Sequence, residues 1–199
     1  MPVPQRKRSR AYLARREEML NIAARLINSQ GLASATLSAV ADVLGVRHNT
    51  LYHYFGDRED LRRTVLERTV ALREASLEEV MGRPGSALDK VLAYLEIELE
   101  APVNNRVDTS GGRGLEPAER ERFMRLKSRL TGTFATLIRS GIADGSIAPC
   151  DPMVRAFALE SILNRFIVRD RQIEAGLGTA RLADVLLDIL RNGLLQPRR

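Results

Sequence analysis

Apolar residues recur at spacings of three and four along most of the chain, and no long stretch alternates apolar and polar residues as a strand would. The pattern therefore predicts an all-α protein. Residues 102–115 lack this periodicity and are rich in glycine and asparagine, which predicts a loop. Helices are predicted around residues 19–27, and at 37–44, 47–55, 57–81, 88–100, 117–141, 151–171 and 182–190.

Capping and breaking residues mark where these helices begin and end. Thr36 stands where an N-cap belongs, and Asp57 with Asp60, like Ser86 with Asp89, resembles a reciprocal capping box. Proline is well tolerated in a first helical turn, so Pro117 predicts the start of a long helix. The predicted breaks are Gly31, Gly45, Gly56-Asp57, Arg83-Pro84-Gly85, Gly141 and Gly176-Leu177-Gly178.

Positive charge is concentrated at the amino end of the chain. Of 31 basic and 25 acidic residues, 11 basic and six acidic ones lie in residues 1–63, so residues 64–199 are almost neutral. A basic segment attracts phosphate chains, which predicts nucleic-acid binding. The alternative is an ordinary solvated surface. The cluster Arg6, Lys7 and Arg8 is either an arm that contacts the DNA backbone or minor groove, or a disordered tail.

Residues 37–56 have the pattern of a helix-turn-helix unit. Two closely crossing helices need a small residue on the first one, which Ala41 provides, and the turn needs a left-handed residue, which Gly45 provides. Arg47, His48, Asn49, Thr50 and His53 are then directed outwards, as donors and acceptors for base edges and phosphates. A plain helical hairpin with a polar face remains the alternative. The apolar positions that join the two helices are Val40, Leu44, Val46 and Leu51.

The run Thr50-Leu51-Tyr52-His53-Tyr54-Phe55, followed by Arg58-Glu59-Asp60-Leu61, resembles the TetR family of bacterial transcriptional regulators. Together with Gly31, Thr36, Ala41 and Gly45-Val46, the resemblance covers about residues 15–65. It implies a DNA-binding domain over residues 1–60 and a helical effector-binding and dimerisation domain over 61–199. It further implies a repressor that binds a palindromic operator as a homodimer and is released by a small molecule.

The resemblance assigns a role to each matched position. It implies that Thr36 and Arg58 contact phosphates, and that Tyr52 and His53 contact the backbone. Residues 47–50 face the major groove, where Arg47 suits guanine and Asn49 suits adenine because both bond bidentately. We expect Leu51, Tyr54 and Phe55 to be core residues. The segment Arg47-His48-Asn49 departs from the family's common Ser-Lys or Ser-Arg pattern, so the operator sequence does not follow from it.

Two apolar stripes near the carboxyl end predict a dimer interface. Two DNA-binding domains related by a two-fold axis match the two half-sites of a palindromic operator. Two helices from each subunit would form a four-helix bundle on that axis. The alternative is that one or both stripes face the monomer core. The predicted interface residues are Phe157, Ile162, Phe166, Leu182, Val185, Leu186, Ile189 and Leu190.

By the same resemblance, the helices between residues 60 and 175 enclose a pocket for an unidentified effector. Tyr94 and Asn164 are its candidate polar anchors, and each apolar candidate has plain core as its alternative. The chain lacks tryptophan and is poor in aromatic residues, which does not suggest a flat aromatic cage. The predicted ligand-binding residues are Met81, Tyr94, Phe123, Met124, Phe134 and Asn164.

The chain offers little for enzyme chemistry. His48 and His53 lie five residues apart on the predicted reading helix, and Cys150 is the only cysteine, which excludes an intrachain disulfide. We therefore expect no enzyme, cofactor or metal. No apolar run approaches the roughly 20 residues of a membrane span, and no secretory signal is evident, which predicts a cytoplasmic protein. A DNA-binding architectural protein without an effector is the remaining alternative.

Overall fold

A computed structural model describes residues 9–102, 105–109, 115–167 and 179–194, and the regular secondary structure within these ranges consists of helices. The all-α prediction is confirmed. The predicted arm at Arg6, Lys7 and Arg8, and the break at residues 176–178, lie outside the described residues. The helices are α1 (Arg10–Gln30), α2 (Leu37–Leu44), α3 (Arg58–Met81), α4 (Ala87–Glu100), α5 (Pro117–Ala143), α6 (Pro152–Ile167) and α7 (Thr179–Ile189).

Local capping explains the helix bounds of the head, which we define as residues 9–57. The Thr36 hydroxyl accepts a hydrogen bond from the Ala39 amide at 3.1 Å and so begins α2. Gly45 ends α2 with a left-handed backbone (φ 64°), a conformation that costs glycine little. Both features are as predicted from the sequence.

The third helix of the head is shorter than its predicted range of residues 47–55. It is a 3-10 helix over His48–His53, hereafter the recognition segment. Arg47 has an extended backbone, and the Thr50 amide bonds the Arg47 carbonyl at 2.8 Å in the i to i+3 pattern. A six-residue segment between a tight turn and the Gly56 break is too short to gain much from α-helical bonding.

The remaining helices form the body of the molecule around α3. Helix α3 packs against α1 of the head and against α4 and α5 of the body. Helix α4 begins with the predicted capping box, in which Ser86 and Asp89 bond each other's backbone amides. Helix α5 starts at Pro117 as predicted and continues two residues beyond Gly141.

An irregular segment, residues 105–109, enters the interior of the body. Arg106, Val107 and Thr109 are all buried, and the Val107 amide donates to the Thr69 hydroxyl of α3 at 3.2 Å. The predicted loop therefore contributes core residues rather than only a surface connection. Within the described ranges, no helix is long and apolar enough to cross a membrane.

Candidate nucleic-acid interface

The recognition segment presents its polar residues to solvent because two apolar residues anchor it. Leu51 and Phe55 are 0% and 1% exposed. Arg47, His48, Asn49 and His53 are exposed, and half of the Tyr52 side chain is exposed. Thr50 is partly buried. The structure thus leaves Arg47, His48, Asn49 and His53 accessible to solvent, as the helix-turn-helix pattern requires.

Thr36 lies at the amino end of α2, where amides without helical partners favour an anion. Its hydroxyl already accepts the Ala39 amide and lies 3.2 Å from the Ser38 hydroxyl. Thr36 is partly buried, whereas Ser38 beside it is exposed. Ser38 therefore adds a second hydroxyl at this position, which the sequence analysis did not single out.

Aromatic contacts attach the recognition segment to α1. The Tyr12 and Tyr54 rings stack with centroids 4.7 Å apart, and the Tyr12 hydroxyl donates to the His53 carbonyl at 3.4 Å. The Arg16 guanidinium lies 5.1 Å from the centre of the Phe55 ring. Sequence reasoning missed Tyr12, because its spacing from residue 54 reveals nothing before the helices are folded together.

Two arginines at the start of α3 have different roles. Arg58 is exposed and pairs with Glu59 at 3.0 Å, so it remains accessible to a phosphate. The buried Arg62 donates to the carbonyl oxygens of Ala33 and Ala35, at 2.6 and 3.1 Å. Arg62 therefore connects α3 to the head, a function that the sequence alone did not indicate.

The predicted effector-binding residues divide between the interior and the surface. Tyr94 and Phe134 are fully buried with ring centroids 4.9 Å apart, and Phe123 and Asn164 are also buried. Met124 is exposed and lines a groove between α5 and α6. Met81 is 36% exposed at the end of α3. The structure therefore does not bring all six residues together.

Around Asn164 lies a buried polar network that sequence reasoning missed apart from Asn164 itself. Glu98 accepts two hydrogen bonds from Arg106, at 3.0 and 3.1 Å, and pairs with Arg73 at 3.3 Å. Arg73 also donates to the Asn164 side chain at 2.9 Å and to the Thr109 hydroxyl at 3.3 Å. These residues come from α3, α4, α6 and the irregular segment, so no local sequence pattern predicts the network.

The network also reaches the head. The Asn28 side chain of α1 donates to the Arg106 carbonyl at 2.8 Å, and this hydrogen bond is buried. One residue of the irregular segment therefore contacts α1 through its backbone and Glu98 through its guanidinium.

The predicted interface residues do not all face outwards. Phe157, Val185 and Ile189 are exposed by 59%, 50% and 50%, and Ile162 is partly buried. Leu186 of α7, which packs against α4, and Leu190, which begins the π-helical turn Leu190–Leu194 after α7, are instead buried within the protomer, so they correspond to the core alternative. The side chains of Phe166 and Leu182 lie outside the described residues.

Two family models match this chain. The model described as bacterial regulatory proteins, tetR family, matches residues 19–65, and the model described as Tetracyclin repressor-like, C-terminal domain, matches residues 90–168. The chain belongs to the TetR family. As a TetR-family protein, it is a ligand-responsive DNA-binding transcriptional regulator, which confirms the resemblance seen in the sequence.

TetR-family relatives support the same assignment. The chain is 23% identical over 141 residues to the HTH-type transcriptional repressor KstR2 of Mycolicibacterium smegmatis, covering 68% of this chain and 69% of that protein. It is 32% identical over 89 residues to the HTH-type transcriptional regulator AcrR of Shigella flexneri, covering 44% of this chain and 41% of that one. Both relatives are named as HTH-type transcriptional regulators or repressors.

Solved structures share the fold at low sequence identity. The ketosteroid transcriptional regulator KstR2 of Mycobacterium tuberculosis has a TM-score of 0.71 at 19% identity, covering 92% of this chain and 95% of that one. A fatty acid metabolism regulator of Clostridium perfringens, itself described as putative, has a TM-score of 0.71 at 15% identity, covering 89% and 98% of the two chains. At these identities the similarity shows the fold alone.

Proposed function

We propose that this protein is a cytoplasmic repressor that binds a palindromic operator as a homodimer and leaves it when a small-molecule effector binds. The DNA-binding part of this proposal rests on one observation. The recognition segment exposes its polar residues, while Leu51 and Phe55 are fully buried and hold it in place. A relative named as a repressor supports repression rather than activation. The functional division lies near residue 60, within α3.

On the operator, the recognition segment enters the major groove. Arg47 and Asn49 read base edges, and His48 and Thr50 contribute further polar contacts to the groove. Thr36, Tyr52, His53 and Arg58 contact the DNA backbone, which positions the segment without specifying sequence. The basic residues Arg6, Lys7 and Arg8 add an electrostatic contribution that weakens as salt increases.

The dimer joins two copies through the exposed apolar residues of α6 and α7. Met153, Val154 and Phe157 are exposed on α6, and Val185 and Ile189 are exposed one turn apart on α7. Large apolar residues clustered on a surface are typical of an interaction site. A two-fold axis through this surface presents both heads to the two half-sites of a palindrome.

Helix α3 transmits the effector signal. Its first turns are joined to the head through Arg62, and its middle contributes Arg73 to the buried network of the body. The Asn28–Arg106 hydrogen bond gives a second connection. An effector that binds better when the heads are wrongly spaced must weaken DNA binding by the same factor, because binding free energies are linked.

The relatives do not agree on a ligand. Solved structures of the same fold include a ketosteroid regulator and a regulator from Saccharomonospora viridis in complex with choline. The effector therefore has to follow from this chain's own residues. Tyr94, Phe123, Phe134 and Asn164 are the buried candidates, with Met124 and Met81 nearer the surface.

The test begins with selection of bound duplexes from a random pool, followed by titration of the selected site at several salt concentrations. Arg47→Ala and Asn49→Ala should each weaken specific binding roughly 5- to 150-fold, the range typical of a bidentate base contact. Arg139→Ala is the control for Arg47→Ala, because it removes the same charge from an exposed position on α5. Binding without any sequence preference, or variants that bind like the wild type, would contradict the proposal.

A further inference from the structure

A buried arginine is bonded to the starts of two helices, α2 and α3. Arg62 is 6% exposed, and each of its three guanidinium nitrogens donates a hydrogen bond. Nε donates to the Ala35 carbonyl at 3.1 Å, and Nη2 donates to the Ala33 carbonyl at 2.6 Å. Nη1 donates to the Glu59 carboxylate at 3.0 Å. One side chain therefore joins the connection that precedes α2 to the first turn of α3.

Packing alone does not account for an arginine at this position. Taking a guanidinium out of water costs free energy, which its acceptors have to offset. An apolar side chain of similar volume is often at least as stabilising as a buried ionic group. The guanidinium differs from such a side chain because its planar fork holds several acceptors in a fixed geometry. Arg62 therefore indicates a need to hold its three acceptors in defined relative positions.

The Ala35 carbonyl lies next to the amino end of α2. This carbonyl belongs to the same planar peptide unit as the Thr36 amide, so a hydrogen bond to its oxygen restricts the backbone from which the Thr36 side chain projects. Thr36 is the N-cap of α2, and its hydroxyl lies 3.2 Å from the hydroxyl of the exposed Ser38. Arg62 thus restrains the position of a hydroxyl that the proposed function assigns to the DNA backbone.

The Glu59 carboxylate connects Arg62 to a second residue with the same assignment. Oε1 of Glu59 accepts a hydrogen bond from Arg62 and another, also at 3.0 Å, from Nε of Arg58. The Arg58 side chain is 65% exposed, whereas the Arg62 side chain is 7% exposed. The buried arginine therefore fixes the carboxylate, and the carboxylate in turn restrains the exposed arginine.

We propose that Arg62 is a positioning residue for DNA binding, which fixes the phosphate contacts of Thr36 and Arg58 relative to each other without touching the DNA. This inference rests on the proposed function, because that function assigns Thr36 and Arg58 to the DNA backbone. Phosphate contacts supply affinity and its salt dependence, whereas base contacts supply specificity. Loss of the Arg62 guanidinium should therefore weaken binding to every duplex by the same factor.

The test compares Arg62→Met with the wild type in the full chain. The selected operator and an unrelated duplex are titrated at several salt concentrations. Both affinities should fall by the same factor, roughly 10- to 150-fold for each head, the range for one lost hydrogen bond to a charged group. The slope of log affinity against log salt should become shallower by about one for each head, because one cation no longer contacts a phosphate.

Arg63→Met is the matched control for Arg62→Met. It removes the same charge from the next residue of α3, whose guanidinium pairs with the carboxylates of Asp60, Glu67 and Glu119. The control should keep the wild-type affinities and the wild-type salt slope. A control that behaves like Arg62→Met would reduce the effect to net charge and refute the inference.

A double-mutant cycle tests whether Arg62 acts through Arg58. In an Arg58→Ala background, the further change Arg62→Met should leave the salt slope unchanged, because that phosphate contact is already absent. Arg62→Lys keeps the buried charge but has one nitrogen in place of the fork, so it should show the same losses to a smaller extent. Circular dichroism monitors folding, and Arg62→Lys decides the question if Arg62→Met does not fold.

Three results would overturn the inference. A folded variant at residue 62 with the wild-type affinities and salt slope would show that the phosphate contacts do not depend on Arg62. A loss confined to the operator would assign Arg62 to base reading, and undiminished binding to a single half-site would assign it to the spacing of the two heads. Failure of the proposed function is distinguishable, because the wild type itself would then prefer no duplex.

Discussion

The head exposes its functional polar side chains to solvent, whereas the body buries several of its charged side chains. Between residues 19 and 55, the buried side chains are apolar apart from Asn28, and the reading residues are outside. The body buries Arg73, Glu98, Arg106 and Glu160 among its apolar residues. A DNA-reading surface has to be exposed, whereas a network that holds charges away from water affects stability.

This difference has an energetic consequence. The head is stabilised mainly by apolar burial, which depends on area and shape. The body also depends on charged groups that are favourable only while each has its partner. Single substitutions should therefore lower the stability of the two regions for different reasons. In the head the cause is lost apolar packing, and in the body it is a buried charge left without its partner.

The largest effect is expected from Glu98→Gln in the body. The neutral amide leaves Arg73 and Arg106 buried without their counter-ion, which should cost about 3–5 kcal/mol of unfolding free energy. Urea unfolding followed by circular dichroism measures this. Glu96→Gln is the control, because Glu96 lies on the same helix and is exposed. A loss no larger than the control's would mean that the buried charges do not distinguish the body from the head.

Leu51→Ala in the head should cost about 2–5 kcal/mol, the range for a leucine removed from a packed core. No charge is involved, so the loss should be nearly independent of pH between about 5 and 8. Val43→Ala, at a residue that is 55% exposed, should change stability by less than about 0.5 kcal/mol. If Leu51→Ala and Val43→Ala unfold alike, Leu51 does not anchor the recognition segment.

The smallest effect concerns Glu160 and depends on pH. Burial raises the pKa of Glu160 above its ordinary value of 4.5, partly offset by its hydrogen bond from Thr131 and by the charges of Arg73 and Lys127. The folded state then holds this proton more tightly than the unfolded state, so stability declines as the pH rises through the interval between the two pKa values. Glu160→Gln cannot ionise and should lack this decline.

Thermal unfolding of wild type and Glu160→Gln at about pH 5 and about pH 8 measures that difference. The variant should gain stability relative to the wild type at the higher pH. Glu121→Gln serves as the control because Glu121 is exposed on α5. Parallel pH profiles for wild type and Glu160→Gln would show that the Glu160 carboxyl is not held in its neutral form.

The sequence by itself determined the helical class, most helix bounds and the residues of the recognition face. The capping residues act on backbone groups only a few residues away, as Thr36, Gly45 and the Ser86–Asp89 pair do. The helix ends that they set can therefore be predicted without the tertiary structure. The outward position of Arg47, His48, Asn49 and His53 follows equally from the apolar residues Leu51 and Phe55, which have to be buried. Such features are local, and local spacing is what a sequence displays.

Only the tertiary structure decided the rest. The last predicted apolar stripe divides into Leu186 and Leu190, which are buried, and Val185 and Ile189, which remain exposed. The Arg73–Glu98–Arg106 network and the Asn28–Arg106 contact join residues from distant parts of the chain. A helical period shows that one face is apolar, but which side chains lose contact with water depends on the helices that arrive beside it.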